Sequence, residues 1–147
     1  MGLVELLKER GLEVVESDRE VVVKAKAEDV KGIVKSLLDA YDGRVTLSCI
    51  TGVDWIDQSV IEVAYVFWVH PESRRCVIKI SLPRDNPSVE TISDLMPGAT
   101  FHECEVYDLL GVRFEGNKWL RKPFLLPDNM AEGFPLRKDW KPPEEVE

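Results

Sequence analysis

The stretch FHECEVYDLLG, residues 101 to 111, gathers one histidine, one cysteine and three carboxylates: His102, Glu103, Cys104, Glu105 and Asp108. On a helix turning about 100° per residue, His102, Val106, Leu109 and Leu110 share one arc, Phe101, Cys104, Glu105 and Asp108 the opposite one, and Glu103 and Tyr107 lie between. His102 and Glu105 could reach one metal ion, but HECEV is not HExxH and the only other histidine is His70, so no metal ligand is assigned. Glu105 and Asp108 could form an acid/base pair, yet they are neighbours on one short helix with no base signalled elsewhere, and no catalytic residue is assigned. Two readings stay open. The acids form a solvated face, or Glu103, Glu105 and Asp108 accept hydrogen bonds from arginines, in cis or from a partner.

The elements that must position this helix are legible upstream. LVELLKER has helical spacing and stops at Gly11; LEVVES and REVVVKAKA read as a hairpin; AEDVKGIVKSLLDAYDG puts Val30, Ile33, Val34, Leu37, Leu38 and Tyr41 on one stripe. RVTLSCITGVDW, VIEVAYVFWVH and RRCVIKISLPR are rich in β-branched and aromatic residues and predict an antiparallel meander, with Trp55 and Trp68 as core or sheet-face residues. PSVETISDLMPG predicts a short helix before the FHECEVYDLLG helix. The fold class is α+β: a single mixed or antiparallel sheet with helices packed on it, in α-β-β-α-β-β-β order, followed by a long extended C-terminal arm. The division is a body over residues 1–111 and an arm over 112–147.

Composition narrows the function. A net charge of −8 argues against a nucleic-acid partner, which would require clustered cations. The three cysteines, Cys49, Cys76 and Cys104, are far apart and form no CxxC pair, which speaks against a disulfide framework or zinc ribbon. The most apolar run carries Glu62 and is too short to span a bilayer, so no membrane span is expected from it. Residues 1–111 hold 12 basic and 20 acidic side chains, whereas 112–147 hold 7 of each, so an acidic body carries a locally basic arm. That arm has no lasting period, yet Phe114, Trp119, Leu120, Phe124, Leu125, Leu126, Met130, Phe134, Leu136 and Trp140 are too apolar for a linker and require a covering surface.

Between residues 80 and 140 the sequence resembles the thirty-kilodalton (C-type) subunit family of proton-pumping NADH:quinone oxidoreductase and its relatives in membrane-bound NiFe hydrogenases. Phe101 stands at the family's aromatic, Glu103 and Glu105 at its two acids, Tyr107 and Asp108 at its YD, and Gly111 at its glycine. Leu120, Arg121 and Lys122 match LRR; Pro135, Leu136, Arg137, Lys138 and Asp139 match PLRKD. Cys104 replaces the arginine between the two acids, Asn117-Lys118 replaces HP, and Phe134 replaces the histidine of the last GHP. These departures favour the hydrogenase-like or sulfur-linked branch over the quinone-linked one.

The resemblance implies an accessory subunit without catalytic residues of its own, on the cytoplasmic side of the cell membrane. Its partners would be the large catalytic subunit and the iron–sulfur small subunit of the same complex, with the NiFe site and iron–sulfur clusters on those partners and no cofactor in this chain. Partner contacts are then expected from Glu103, Glu105, Tyr107, Asp108, Arg113, Phe114, Trp119, Arg121, Lys122, Phe124, Leu126, Phe134, Arg137, Lys138, Asp139 and Trp140. The corresponding thirty-kilodalton subunit of an NADH- or other donor:quinone oxidoreductase is the alternative, and a free-standing small enzyme using residues 102–108 the remote one.

Overall fold

A computed structural model describes residues 1–144. The protein forms α1 (Leu3–Glu9), the hairpin β1 (Val14–Glu16) and β2 (Glu20–Lys24), α2 (Val30–Ala40), and the meander β3 (Val45–Trp55), β4 (Val60–Val69) and β5 (Arg74–Pro83). These five strands make one sheet in the order β1-β2-β5-β4-β3. All pairings are antiparallel except β2 with β5, where Val22 lies opposite Val77. The sheet is therefore mixed, because α2 carries the backbone across it before the meander returns beside β2.

Alternation along the strands decides which face is covered. Ile61, Val63, Tyr65, Phe67 and Val69 of β4 point into one core with Val21 and Val23 of β2 and Ile78 and Ile80 of β5. Leu3 and Leu7 of α1 and Val30, Ile33, Val34 and Leu37 of α2 close that core from above. Glu72 ties the two helices together: its Oε1 accepts the Leu3 N–H at 2.7 Å and the Tyr41 hydroxyl at 2.6 Å.

After β5 the structure departs from expectation. Residues 87–98 do not form a helix: Ser88–Glu90 is a strand, β6. It pairs in parallel with β7 (Arg113–Glu115), so a second, two-stranded sheet accompanies the first. Val89 and Phe114, directly opposite each other, are both buried, and burial of this pair overrides the helical spacing. Between them runs α3 (Ala99–Leu110), packed on β3 and ended by Gly111 in the left-handed conformation at φ 80°. The irregular segment thus starts after β7, and among the described residues beyond it only Asp128–Met130 forms a 3₁₀ turn. Trp55 is 45% exposed at the end of β3, not in the core.

Candidate functional site

Helix α3 has little amphipathic regularity, and the reason is chemical: Glu103 and Asp108 are both fully buried, on arcs that the wheel left solvated or marginal. Glu103 accepts hydrogen bonds from the Thr91 hydroxyl, from the Ile92 N–H at 3.2 Å and from Asn117 Nδ2 at 3.2 Å. One carboxylate thereby joins the segment after β6, α3 and the turn after β7. Burial nevertheless pushes its pKa up, and among the described residues no cation pairs with it. The buried Tyr65 hydroxyl makes no hydrogen bond among the described residues, and burial raises its pKa too.

Asp108 holds the irregular segment. Its Oδ2 accepts the N–H groups of Leu125 at 2.8 Å and Leu126 at 3.1 Å, while Lys122 Nζ sits 3.6 Å from Oδ1 and donates to the Asp108 carbonyl at 2.7 Å. The next turn of backbone docks on the end of the same helix. Leu136 N–H donates to the Leu109 carbonyl at 3.1 Å, and Arg137 Nε to the Leu110 carbonyl at 2.8 Å. These are the carbonyls a helix C-terminus leaves without partners. Phe134 has Lys122 4.8 Å and Arg137 4.9 Å from its ring centroid. A Cβ at Gly111 would lie 2.8 Å from that ring, so the glycine serves both the positive φ and the close approach.

A third clamp closes the segment at the far end of β3. Asp54, buried, takes both Arg84 Nε at 2.7 Å and Nη2 at 3.0 Å, and also accepts the Lys138 N–H at 2.8 Å. Arg84 Nη2 in turn donates to Asp139 at 2.7 Å. Hydrogen bonding to Arg84 holds both Asp54 and Asp139 below the usual carboxylate range.

The expected partner residues accordingly divide. Glu103, Asp108 and Phe114 are buried and bind within the chain, and among the described residues the two buried acids receive no arginine bond. Lys122, Phe134, Arg137 and Asp139 spend their groups on the clamps. Arg121 sits over Phe124, 5.6 Å from its centroid, and Phe124 stacks on Phe101 at 6.0 Å with the rings 5° from parallel. Phe101 is 64% exposed, Trp119 70%, Leu125 59% and Leu136 54%. Glu105, Arg113, Arg121 and Lys138 are exposed and Tyr107, Leu126 and Trp140 half-exposed. The outer side of α3 and its strapped segment is thus an aromatic and aliphatic ridge edged with charge.

Sequence reasoning missed Asp54, Arg84, Thr91 and Asn117, because their partners are brought together from other elements and no local spacing signals them. Cys104 is buried, burial raises its pKa, and its thiol donates to the Trp119 carbonyl at 3.3 Å. His102 and Glu105 gain no third ligand: among the described residues no group of three or more His, Cys, Asp or Glu could hold a metal ion.

The fold and the clamped signature segment define a class, the small α+β subunit of complex I-like oxidoreductases. Residues 23–146 match the family described as "Respiratory-chain NADH dehydrogenase, 30 Kd subunit", and the protein belongs to that family. It is 33% identical over 137 residues to the C subunit of F(420)H(2) dehydrogenase from Methanosarcina mazei, a match spanning 93% of this chain and 84% of that one. It is 33% identical over 122 residues to the C subunit of NADH-quinone oxidoreductase from Erythrobacter litoralis, a match spanning 82% of this chain but 47% of the relative. The protein therefore spans most of the first relative and just under half of the second. Among solved structures, a chain of the archaeal membrane-bound sulfane sulfur reductase, a respiratory membrane complex, superposes with a TM-score of 0.85 at 25% identity, over 95% of this chain and 83% of that one. A trypsin-resistant fragment of Nqo5 shares the fold, with a TM-score of 0.64 at 23% identity over 78% of this chain and 94% of the fragment. No helix among the described residues is long and apolar enough to cross a membrane.

Proposed function

We propose that this protein is a non-catalytic, peripheral subunit on the cytoplasmic side of an ion-translocating, membrane-bound oxidoreductase of the hydrogenase or sulfur-linked type. It docks on the large catalytic subunit, with the iron–sulfur small subunit in the same complex. The NiFe or other catalytic site and the iron–sulfur clusters belong to those partners, and the protein itself carries no cofactor. The observation that carries the reading is the ridge of exposed Phe101, Trp119 and Leu125, with half-buried Phe124 stacked on Phe101, on the family's signature helix and the segment strapped to it. Contiguous exposed apolar surface of this kind, edged by Arg121 and Glu105, fits a protein interface with aromatic anchors.

The anchoring differs from that of a free arm wrapped on a partner. The three clamps preorganise the segment on its own body, so the partner meets an already ordered surface and little ordering entropy is lost on docking. The sulfane sulfur reductase likeness over 95% of the sequence supports the sulfur-linked branch. The likeness to the F(420)H(2) dehydrogenase polypeptide supports a second reading, a subunit of another donor's quinone-type oxidoreductase. The test is purification of the complex from native membranes through a tag on this protein, with metal analysis. Nickel and iron together support a hydrogenase and iron without nickel the other relatives. Recovery of the wild-type protein alone, under conditions that keep such complexes intact, overturns the subunit reading.

A further inference from the structure

The five-stranded sheet ends on one side in β3, eleven residues long and paired only with β4. None of its residues makes a backbone hydrogen bond to a loop or turn among the described residues, so the N–H and C=O groups facing away from β4 have no backbone partner there, and the segment at 136–138 lies only against its far half, at Gly52 and Asp54. The bulge between Leu47 and Cys49 interrupts this edge without covering it. Beside the first residues of the strand lies a groove of about 820 Å³. Its apolar wall is Leu38 from α2, Leu47 from β3, and Leu95 and Met96 from the loop before α3, all partly exposed. Asp39 and Asp42, both exposed, stand on its rim, and among the described residues Asp42 has one ion-pair partner, Arg44 at 4.0 Å.

We propose that the outer edge of β3 receives an extended segment of another subunit as a sixth strand, with an apolar side chain in the Leu38–Leu47–Leu95–Met96 groove and a Lys or Arg beside Asp39 and Asp42. An unpaired strand edge supplies main-chain hydrogen bonds, and a pocket at alternate side-chain positions supplies selectivity. Charge selects among occupants. The acidic rim favours a cation, and the β3 edge of a second copy brings Thr46, Ser48, Thr51, Val53 and Trp55, none of them positive. The occupant is therefore a basic, apolar-alternating segment of a different polypeptide. This surface is separate from the ridge of α3 and does not depend on that ridge being an interface.

Hydrogen exchange on the full-length protein alone and on the same protein within the complex from native membranes tests the proposal. Amides of residues 45–53 should exchange in fast and slow sets in the free protein, and the fast set should slow by roughly tenfold or more in the complex. Unchanged exchange of that set in the complex overturns the proposal. A photo-crosslinking residue at Met96 identifies the occupant: crosslinks to a Lys/Arg-bearing extended segment of another subunit support the assignment, whereas crosslinks to a second copy, or none, overturn it. Asp39→Lys, at the C-terminal end of α2 where a cation suits the helix dipole, should leave the protein folded. In the complex it should restore fast exchange at 45–53; protection equal to wild type would remove the rim charge from the assignment and with it the basic occupant.

Discussion

Asp54 and Lys138 stand 84 positions apart in sequence, yet the Lys138 backbone N–H lies 2.8 Å from the Asp54 carboxylate, which also grips Arg84 from two sides. The most regular part of the molecule, the meander, thereby fixes the least regular part. Asp54→Ala should cost about 1.5–3 kcal/mol, the range for a hydrogen bond to a charged group. It should also loosen residues 134–140 selectively, because Arg84 and the Lys138 N–H lose their common acceptor. Chemical denaturation with residue-level hydrogen exchange checks both; unchanged exchange at 134–140 would remove the clamp.

Asp108 holds Leu125 and Leu126 through a single oxygen, so the neutral isostere and the truncation should separate. Asp108→Asn can keep an acceptor at that point and should be mild. Asp108→Ala leaves the two amides without an acceptor and should cost roughly 1–3 kcal/mol. Equal midpoints for the two variants in urea denaturation would mean that the amides are satisfied by water.

Glu103 and Asp54 work in opposite directions with pH. The Glu103 pKa is raised by burial, so its contribution is fully present below the unfolded carboxylate range and is lost as pH rises through the folded value. The Asp54 pKa is depressed by Arg84, so its contribution is present above that range and lost as pH falls through the folded value. Stability should therefore rise as pH falls through the folded Glu103 value and fall at stronger acidity. Glu103→Gln should flatten the limb above about pH 4.3, the ordinary glutamate value, and leave the acid limb in place. Thermal denaturation from mildly alkaline to strongly acidic pH reads both limbs.

Gly111 ends α3 at positive φ with the Phe134 ring against it. Gly111→Ala should be destabilising by about 1–3 kcal/mol, through left-handed strain and displacement of the ring. Because Phe134 is seated by Lys122 and Arg137, near-ultraviolet circular dichroism should lose aromatic signal with it. A variant as stable as wild type would place the ring elsewhere.

Trp119→Asp and Leu125→Asp alter exposed side chains, so the free protein should keep its melting temperature while it no longer co-purifies with the complex. Truncation after Gly111 should unfold the body, since it removes β7 from β6 and Asn117 from Glu103. Co-purification of both aspartate variants at wild-type yield would show that the ridge is not the docking surface.

Residue spacing alone determined the first helix, the hairpin, α2 and the three-stranded meander, since each has a period that survives without knowledge of its neighbours. The signature block alone determined the family. What spacing could not reach were the pairings between distant segments. The parallel partnership of β2 with β5 follows from a crossover, and the β6–β7 pair from two three-residue strands whose one buried contact outweighs helical spacing. Glu103 and Asp108 read locally as surface acids, because a wheel knows only its own helix. Only the tertiary structure supplies Thr91, Ile92 and Asn117 for one of them and the backbone of Leu125 and Leu126 for the other. Burial of an acid is decided by donors that other elements deliver, and for these two acids those backbone donors lie 11 to 18 residues away.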